Sequence, residues 1–121
     1  MNEIFFLLIL LQIKHWYIDF VNQSEAEVKG KAIYGDTVGL GHSVKHGIGT
    51  CLCILLAFGI PYLLVAIIMG FFDLVLHYHI DWTKMSKGNR DITTPAFWNH
   101  IGLDQMAHQL TYIGIAYILT T

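Results

Sequence analysis

The chain has 121 residues, 55% of them hydrophobic and 13% charged, with a formal net charge of −2. That length holds one domain, and the charged share is about half of what a soluble domain carries. So few polar residues cannot cover a soluble surface at this size, and no basic patch offers itself to nucleic acid, so the composition points to an integral membrane protein.

The first predicted helix covers about 4–20. It is apolar from Ile4 to Leu11, and its second half carries Gln12, Lys14, His15 and Asp19. The segment lacks the basic start and small-residue cleavage site of a secretory signal, so it is expected to stay as a membrane helix. A polar stretch, 21–41, follows with Glu25, Glu27, Lys29, Lys31 and Asp36, and Gly35, Gly39 and Gly41 give its end the character of a loop. No formally charged residue lies between His46 and Phe72, and the apolar character runs on to Ile80. One helix over 46–80 would be about 52 Å long, against a hydrocarbon core of about 30 Å. Gly59-Ile60-Pro61 supplies a break, because Gly suits a helix C-terminus and Pro the first turn of the next. Helices are therefore expected over about 42–58 and 61–82. A second polar segment, 83–96, holds Lys84, Lys87, Arg90 and Asp91, and the last helix covers about 97–119.

The expected fold class is all-α: a four-helix transmembrane bundle, up-down, both termini on the same side, one membrane domain over 1–121. Four crossings place loops 21–41 and 83–96 together. Lys14, Lys29, Lys31, Lys45, Lys84, Lys87 and Arg90 all fall in those loops or the helix ends adjoining them. By the positive-inside rule both loops are cytoplasmic, in a multi-pass protein of the inner (cytoplasmic) membrane. Trp16, Trp82 and Trp98 fall at the same level, as an interfacial belt would. Ser43, Gly47 and Cys51 form a small-xxx-small stripe suited to helix contact, and Gln12, Gln105 and Gln109 suit hydrogen bonds between helices. Cys51 and Cys53 are two apart in a helix, point to different sides, and read as packing residues.

Each predicted helix carries ionisable residues four apart: His15 and Asp19; His42 and His46; Asp73, His77 and Asp81; Asp104 and His108. That spacing puts both side chains of a pair on one helix face, where they can converge on one ion. In the up-down arrangement all nine lie in the cytoplasmic half of the bundle. A membrane-embedded Asp costs several kcal/mol unless it is paired, neutral or water-exposed, and a divalent metal offsets that cost. His15, Asp19, His42, His46, His77, Asp81, Asp104 and His108 are the candidate ligands. Mixed imidazole and carboxylate donors suit one or two ions of zinc, iron or manganese. Asp73 and Asp81 are the candidate general bases. In the plainer alternative, Asp and His four apart pair with each other. His79 and His100 read as interfacial anchors. Lys14, Lys45 and Lys84 are expected to snorkel to the interface, with attraction of a phosphate as the functional alternative.

The order His15-x-x-x-Asp19-Phe20, His42 and His46, His77-x-x-x-Asp81, and Leu103-Asp104-Gln105-x-x-His108 resembles the bacterial and phage membrane-protein family catalogued as domain of unknown function 3307. The resemblance covers nearly the whole chain, and Asp-Gln-x-x-His is its most specific piece. It implies a small multi-helix membrane protein and carries no established activity. Asp73 is not assigned to the family pattern.

Four function classes follow. The first is an intramembrane metal-dependent hydrolase acting on a lipid headgroup or another amphipathic substrate at the cytoplasmic face. The second is a subunit of an ion, proton or metal transporter, which would need a homo-oligomer. Leu52 to Phe72 offers no polar relay, which favours a one-sided site. Haem binding comes third, because haem has no use for the accompanying Asp residues. The fourth is a structural or interaction protein with no chemistry, such as a phage membrane factor; membrane lipid is an expected partner in every case.

Overall fold

The structure is a computed structural model and describes residues 2–121. It is all-α. Helix α1 (Glu3–Trp16) widens into a π-helical turn at Tyr17–Val21, and a short α2 (Glu25–Gly30) follows. Helix α3 (Thr37–Phe58) is joined by a 3-10 turn at Ile60–Tyr62 to α4 (Leu63–Lys87), and α5 (Pro95–Thr120) ends the chain.

Local chemistry explains the starts and stops. Asn2 Oδ1 accepts from the Ile4 N–H at 2.8 Å and caps α1. Asp36 Oδ2 accepts from the N–H groups of Val38 and Gly39 and caps α3. Thr94 caps α5, with Pro95 in its first turn, where a missing N–H costs nothing. Gly59 ends α3 with φ +87°, a conformation that favours glycine, and Pro61 sits in the following turn. The expected break at 59–61 is therefore present.

Three boundaries differ from expectation. Helix α3 starts at Thr37 rather than near 42, and α4 runs to Lys87 rather than Trp82. Part of the expected 21–41 loop folds as α2. Gly39 belongs to a helix, not a loop: a Cβ there would lie 2.6 Å from the Gly30 carbonyl oxygen, so the glycine lets α2 lie against α3. Between α3 and α4 the same device recurs. A Cβ on Gly47 would sit 2.7 Å from Gly70 O, and one on Gly70 would sit 2.6 Å from Gly47 O. The stripe Ser43, Gly47, Cys51 is thus a close helix contact, and Gly70 is its counterpart on α4.

Apolar and polar residues are distributed inside out relative to a soluble bundle. Leu56, Leu64, Phe71 and Leu110 are more than half exposed, while His42, His46, Asp73, His77, Asp81 and His108 are buried. Three stretches, Glu3–Val21, Thr37–Phe58 and Ile60–Lys87, are long and apolar enough to cross a membrane. One end of the bundle is a dry core of Leu7, Leu11, Ile54, Ala66, Met69 and Ile115. The polar cluster occupies the other end, beneath α2.

Candidate metal centre

Four helices each contribute a buried stripe with a four-residue period. On α3 the stripe is His42, His46 and Thr50; on α4 it is Asp73, His77 and Asp81; on α5 it is Asp104, His108 and Tyr112. The fourth comes from the end of α1. His15 lies in the α-helix, but Asp19 lies in the π-turn, where Asn22 N–H bonds Tyr17 O at 2.7 Å. The wider π-turn changes the angle between the two side chains, and such turns are frequent at functional sites.

The side chains meet on Asp19. Its Oδ1 lies 2.8 Å from His46 Nε2, 2.9 Å from His42 Nε2 and 3.7 Å from His77 Nε2. Asp81 gathers the remainder: Oδ1 is 3.1 Å from His108 Nε2, and Oδ2 is 3.1 Å from His77 Nε2. The imidazoles form a stack, with His46 and His77 centroids 3.6 Å apart and His77 and His108 centroids 4.1 Å apart. Two groups of donors result, Asp19–His42–His46–His77 and His77–Asp81–His108, each with one ligand atom per residue and all such atoms within 4.8 Å of one another. A modest contraction brings such atoms to the distances at which a divalent ion is held, about 2.0–2.2 Å.

His77 is the member common to both groups. It is completely buried, and neither ring nitrogen makes a hydrogen bond: Nε2 is close to Asp81 Oδ2 but not aligned with it. A buried polar atom left without a partner costs about 1–3 kcal/mol, so a ring with two such atoms fits a ligand that has a metal to bind. His42 has the matching support. Its Nδ1 lies 3.2 Å from Glu27 Oε1, a carboxylate contact of the kind that orients an imidazole with its Nε2 toward a metal; here that Nε2 faces Asp19 Oδ1. Neutral imidazoles with carboxylates make a donor set suited to zinc, iron or manganese.

Within the polar cluster, each buried acid but one has a lysine. Asp73 pairs with Lys14 at 2.9 Å, Asp81 with Lys31 at 3.1 Å, and Asp104 with Lys84 at 3.1 Å, while Glu27 pairs with Lys45. Among the described residues Asp19 has no lysine, only histidines. A cation at Asp19 would supply the missing countercharge.

The other expected ligands are placed differently. His15 Nδ1 is 2.9 Å from the Tyr112 hydroxyl and Nε2 is 2.8 Å from Gln105 Oε1, so both nitrogens have partners. Asp104 lies beside Lys84, Gln105 and His108, outside both groups. Asp73 accepts from Lys14 Nζ and from Thr50 Oγ1 at 2.5 Å, one turn deeper than the groups. Lys14 does not snorkel: it is buried, bonded to Asp73, Tyr112 and His46. Burial is feasible because every donor position of its ammonium has a partner. Gln12 bonds Gln109 across α1 and α5, as expected of it. His79 bonds Tyr34 and the Val75 carbonyl, and His100 accepts from Asn89 N–H, both away from the groups.

Glu27 and Lys31, which read from the sequence as part of a polar stretch, reach the site, as do Thr50 and Tyr112. The first two come from α2, and a signal existed: Ser24-x-x-Glu27 is the spacing of a capping box, which the helix forms. Burial raises the Glu27 carboxyl pKa, but hydrogen bonds from Lys45, the Ser24 backbone N–H and hydroxyl, and His42 outweigh it and hold the group down at about 2.

A family model described as Protein of unknown function (DUF3307) matches residues 6–121. The chain belongs to this family. The DUF3307 match takes in both donor groups, from Asp19 to His108, and the π-turn and α2 with them. No curated protein and no solved structure matches the chain.

Proposed function

We propose that this chain is an intramembrane metal-binding protein holding one or two divalent ions between Asp19, His42, His46, His77, Asp81 and His108. The observation that carries the reading is His77, a buried imidazole with no hydrogen-bond partner at the junction of two groups of donor atoms. The lysine-free carboxylate of Asp19 and the Glu27–His42 contact support it.

The proposed topology has four crossings, with α5 as the fourth. It is 26 residues long, and it turns Leu110, Ile113, Tyr117 and Ile118 outward. Loops 21–41 and 83–96 then lie on the cytoplasmic side by the positive-inside rule. At that depth a metal-dependent hydrolase acting on a lipid headgroup is the activity we favour. A metal bound there supplies a water of lowered pKa and polarises a phosphoryl or acyl oxygen. Asp81, paired with Lys31 of the 21–41 segment, is the assigned base, with Asp73 held by Lys14 and Thr50 in a supporting position. The transporter alternative is less well supported, because the far end of the bundle is packed with Leu7, Ile54, Ala66 and Ile115 and offers no polar path.

The test is elemental analysis of the detergent-purified full chain. One or two equivalents of zinc, iron or manganese are expected, and His77→Ala is expected to abolish metal in both groups. Protein without stoichiometric metal, after purification in its presence, sinks the reading.

A further inference from the structure

The surface beside the centre carries a cavity of about 440 Å³ between α4 and α5. Its lining runs along α4 from Leu76 to Gly88, a length of about 18 Å at the helical rise. The walls are apolar where Leu76, Ile80, Leu103 and Ala107 face it, and the end nearest the 88–94 loop is polar. There Lys84, Lys87 and His100 line it. Lys87 has no carboxylate within ion-pair distance among the described residues and rests over the Trp82 ring, 5.5 Å from its centroid. His100 Nδ1 accepts from Asn89 N–H, which leaves its Nε2–H as a donor. Gly88 lies beside this ring, and a Cβ on it would meet the Lys84 carbonyl oxygen. A second cavity, of about 300 Å³, shares Lys84 and adds Arg90. The one acid lining the larger cavity, Asp104, is already paired with Lys84 through Oδ2, and its Oδ1 lies 3.4 Å from His108 Nε2, which reaches Asp81.

An apolar trough with a cationic end matches an amphiphile with an acyl chain and an anionic head, and its size is that of a ligand site. We infer that the α4/α5 groove binds one anionic phospholipid, chain along Leu76, Ile80 and Leu103, phosphate at Lys84, Lys87 and His100. This rests on the metal-centre reading only for its consequence, that the headgroup is delivered beside Asp104 and His108. The groove itself rests on charge complementarity and shape.

The experiment uses the full chain in maltoside detergent with an equimolar mixture of phosphatidylglycerol and phosphatidylcholine, and counts retained lipid by native mass spectrometry. Phosphatidylglycerol is expected to be retained at least about five-fold over phosphatidylcholine, the scale of one basic residue acting on an anionic lipid. Lys87→Gln is expected to lower that preference about five-fold, and Leu103→Trp, which fills the trough from an exposed position, to lower total retention. Glycerol phosphate is expected to compete about ten-fold more weakly, because it lacks the chain that holds the lipid at high local concentration. Equal retention of the two lipids overturns the inference, as does a preference that survives both substitutions. Competition by glycerol phosphate on equal terms overturns the lipid as occupant. Metal content measured on the same samples separates the two readings. A preference for phosphatidylglycerol in metal-free protein removes the centre and keeps the groove; metal without the preference removes the groove alone.

Discussion

Lys14 and Asp73 form a buried ion pair in the polar cluster, with Lys14 8% and Asp73 1% exposed. A pair so buried adds little net stability, but losing one partner leaves the other charged and alone. Lys14→Met is therefore expected to destabilise the protein by about 3–5 kcal/mol, and Lys14→Met with Asp73→Leu to recover most of that. Thermal unfolding in detergent of the two single variants and the double variant checks it; a double variant as unstable as the single ones would show that the pair is not the unit. Nothing local announces this pair. Lys14 stands at the end of an apolar run, where a lysine ordinarily reaches for the interface, and its partner is 59 residues away. The buried four-residue stripes were more legible, because such spacing is a local property of a helix. Spacing does not tell which donor already has a partner, so His15 with Tyr112 and Gln105 looked the same as His77 with neither.

At the scale of elements, α2 closes the centre from the loop side. Its capping box joins the Ser24 hydroxyl to Glu27 N–H and the Glu27 carboxylate to Ser24 N–H. Ser24→Ala is expected to cost about 1 kcal/mol of local stability, read as faster amide hydrogen exchange over residues 25–31. The Glu27 carboxyl titrates at about 2 in the folded chain against an ordinary 4.5, so the ionised form is the one the fold favours. Its contribution is complete above pH 4.5 and disappears as pH falls toward 2. Protection of the α2 amides, taken relative to their intrinsic exchange rate at each pH, is thus expected to fall on acidification through that window, and Glu27→Gln to flatten the response. The α3/α4 contact makes a second prediction. A methyl on Gly70 meets the Gly47 carbonyl, which is backbone and cannot swing aside. Gly70→Ala should lower stability by about 1–3 kcal/mol, while Gly114→Ala, with open space around it, should not. The α3/α4 break was readable because Gly and Pro act on their own backbone. The first turn of α3 was hidden by Gly39, which serves the contact with α2 rather than loop flexibility.

For the whole molecule, the distribution of exposed Leu, Ile and Phe around a polar interior is that of a chain solvated by lipid. Composition alone foretold this, since it depends on totals and not on contacts. The proposed topology predicts that cysteines placed at Lys29 and Lys87, in a chain with Cys51 and Cys53 replaced by Ala, react with an impermeant reagent only from the cytoplasmic side. Reaction of either from the opposite side refutes it. The shared histidine also has a thermodynamic consequence. One imidazole serving two donor groups means that any two ions held there are linked: occupying the first group changes the affinity of the second, and the reverse by the same factor. If the purified protein takes up two ions as proposed, its binding isotherm is expected to show two unequal steps. Substituting Asp19 moves the step belonging to Asp81 and His108 as well, although Asp19 belongs to neither of their bonds.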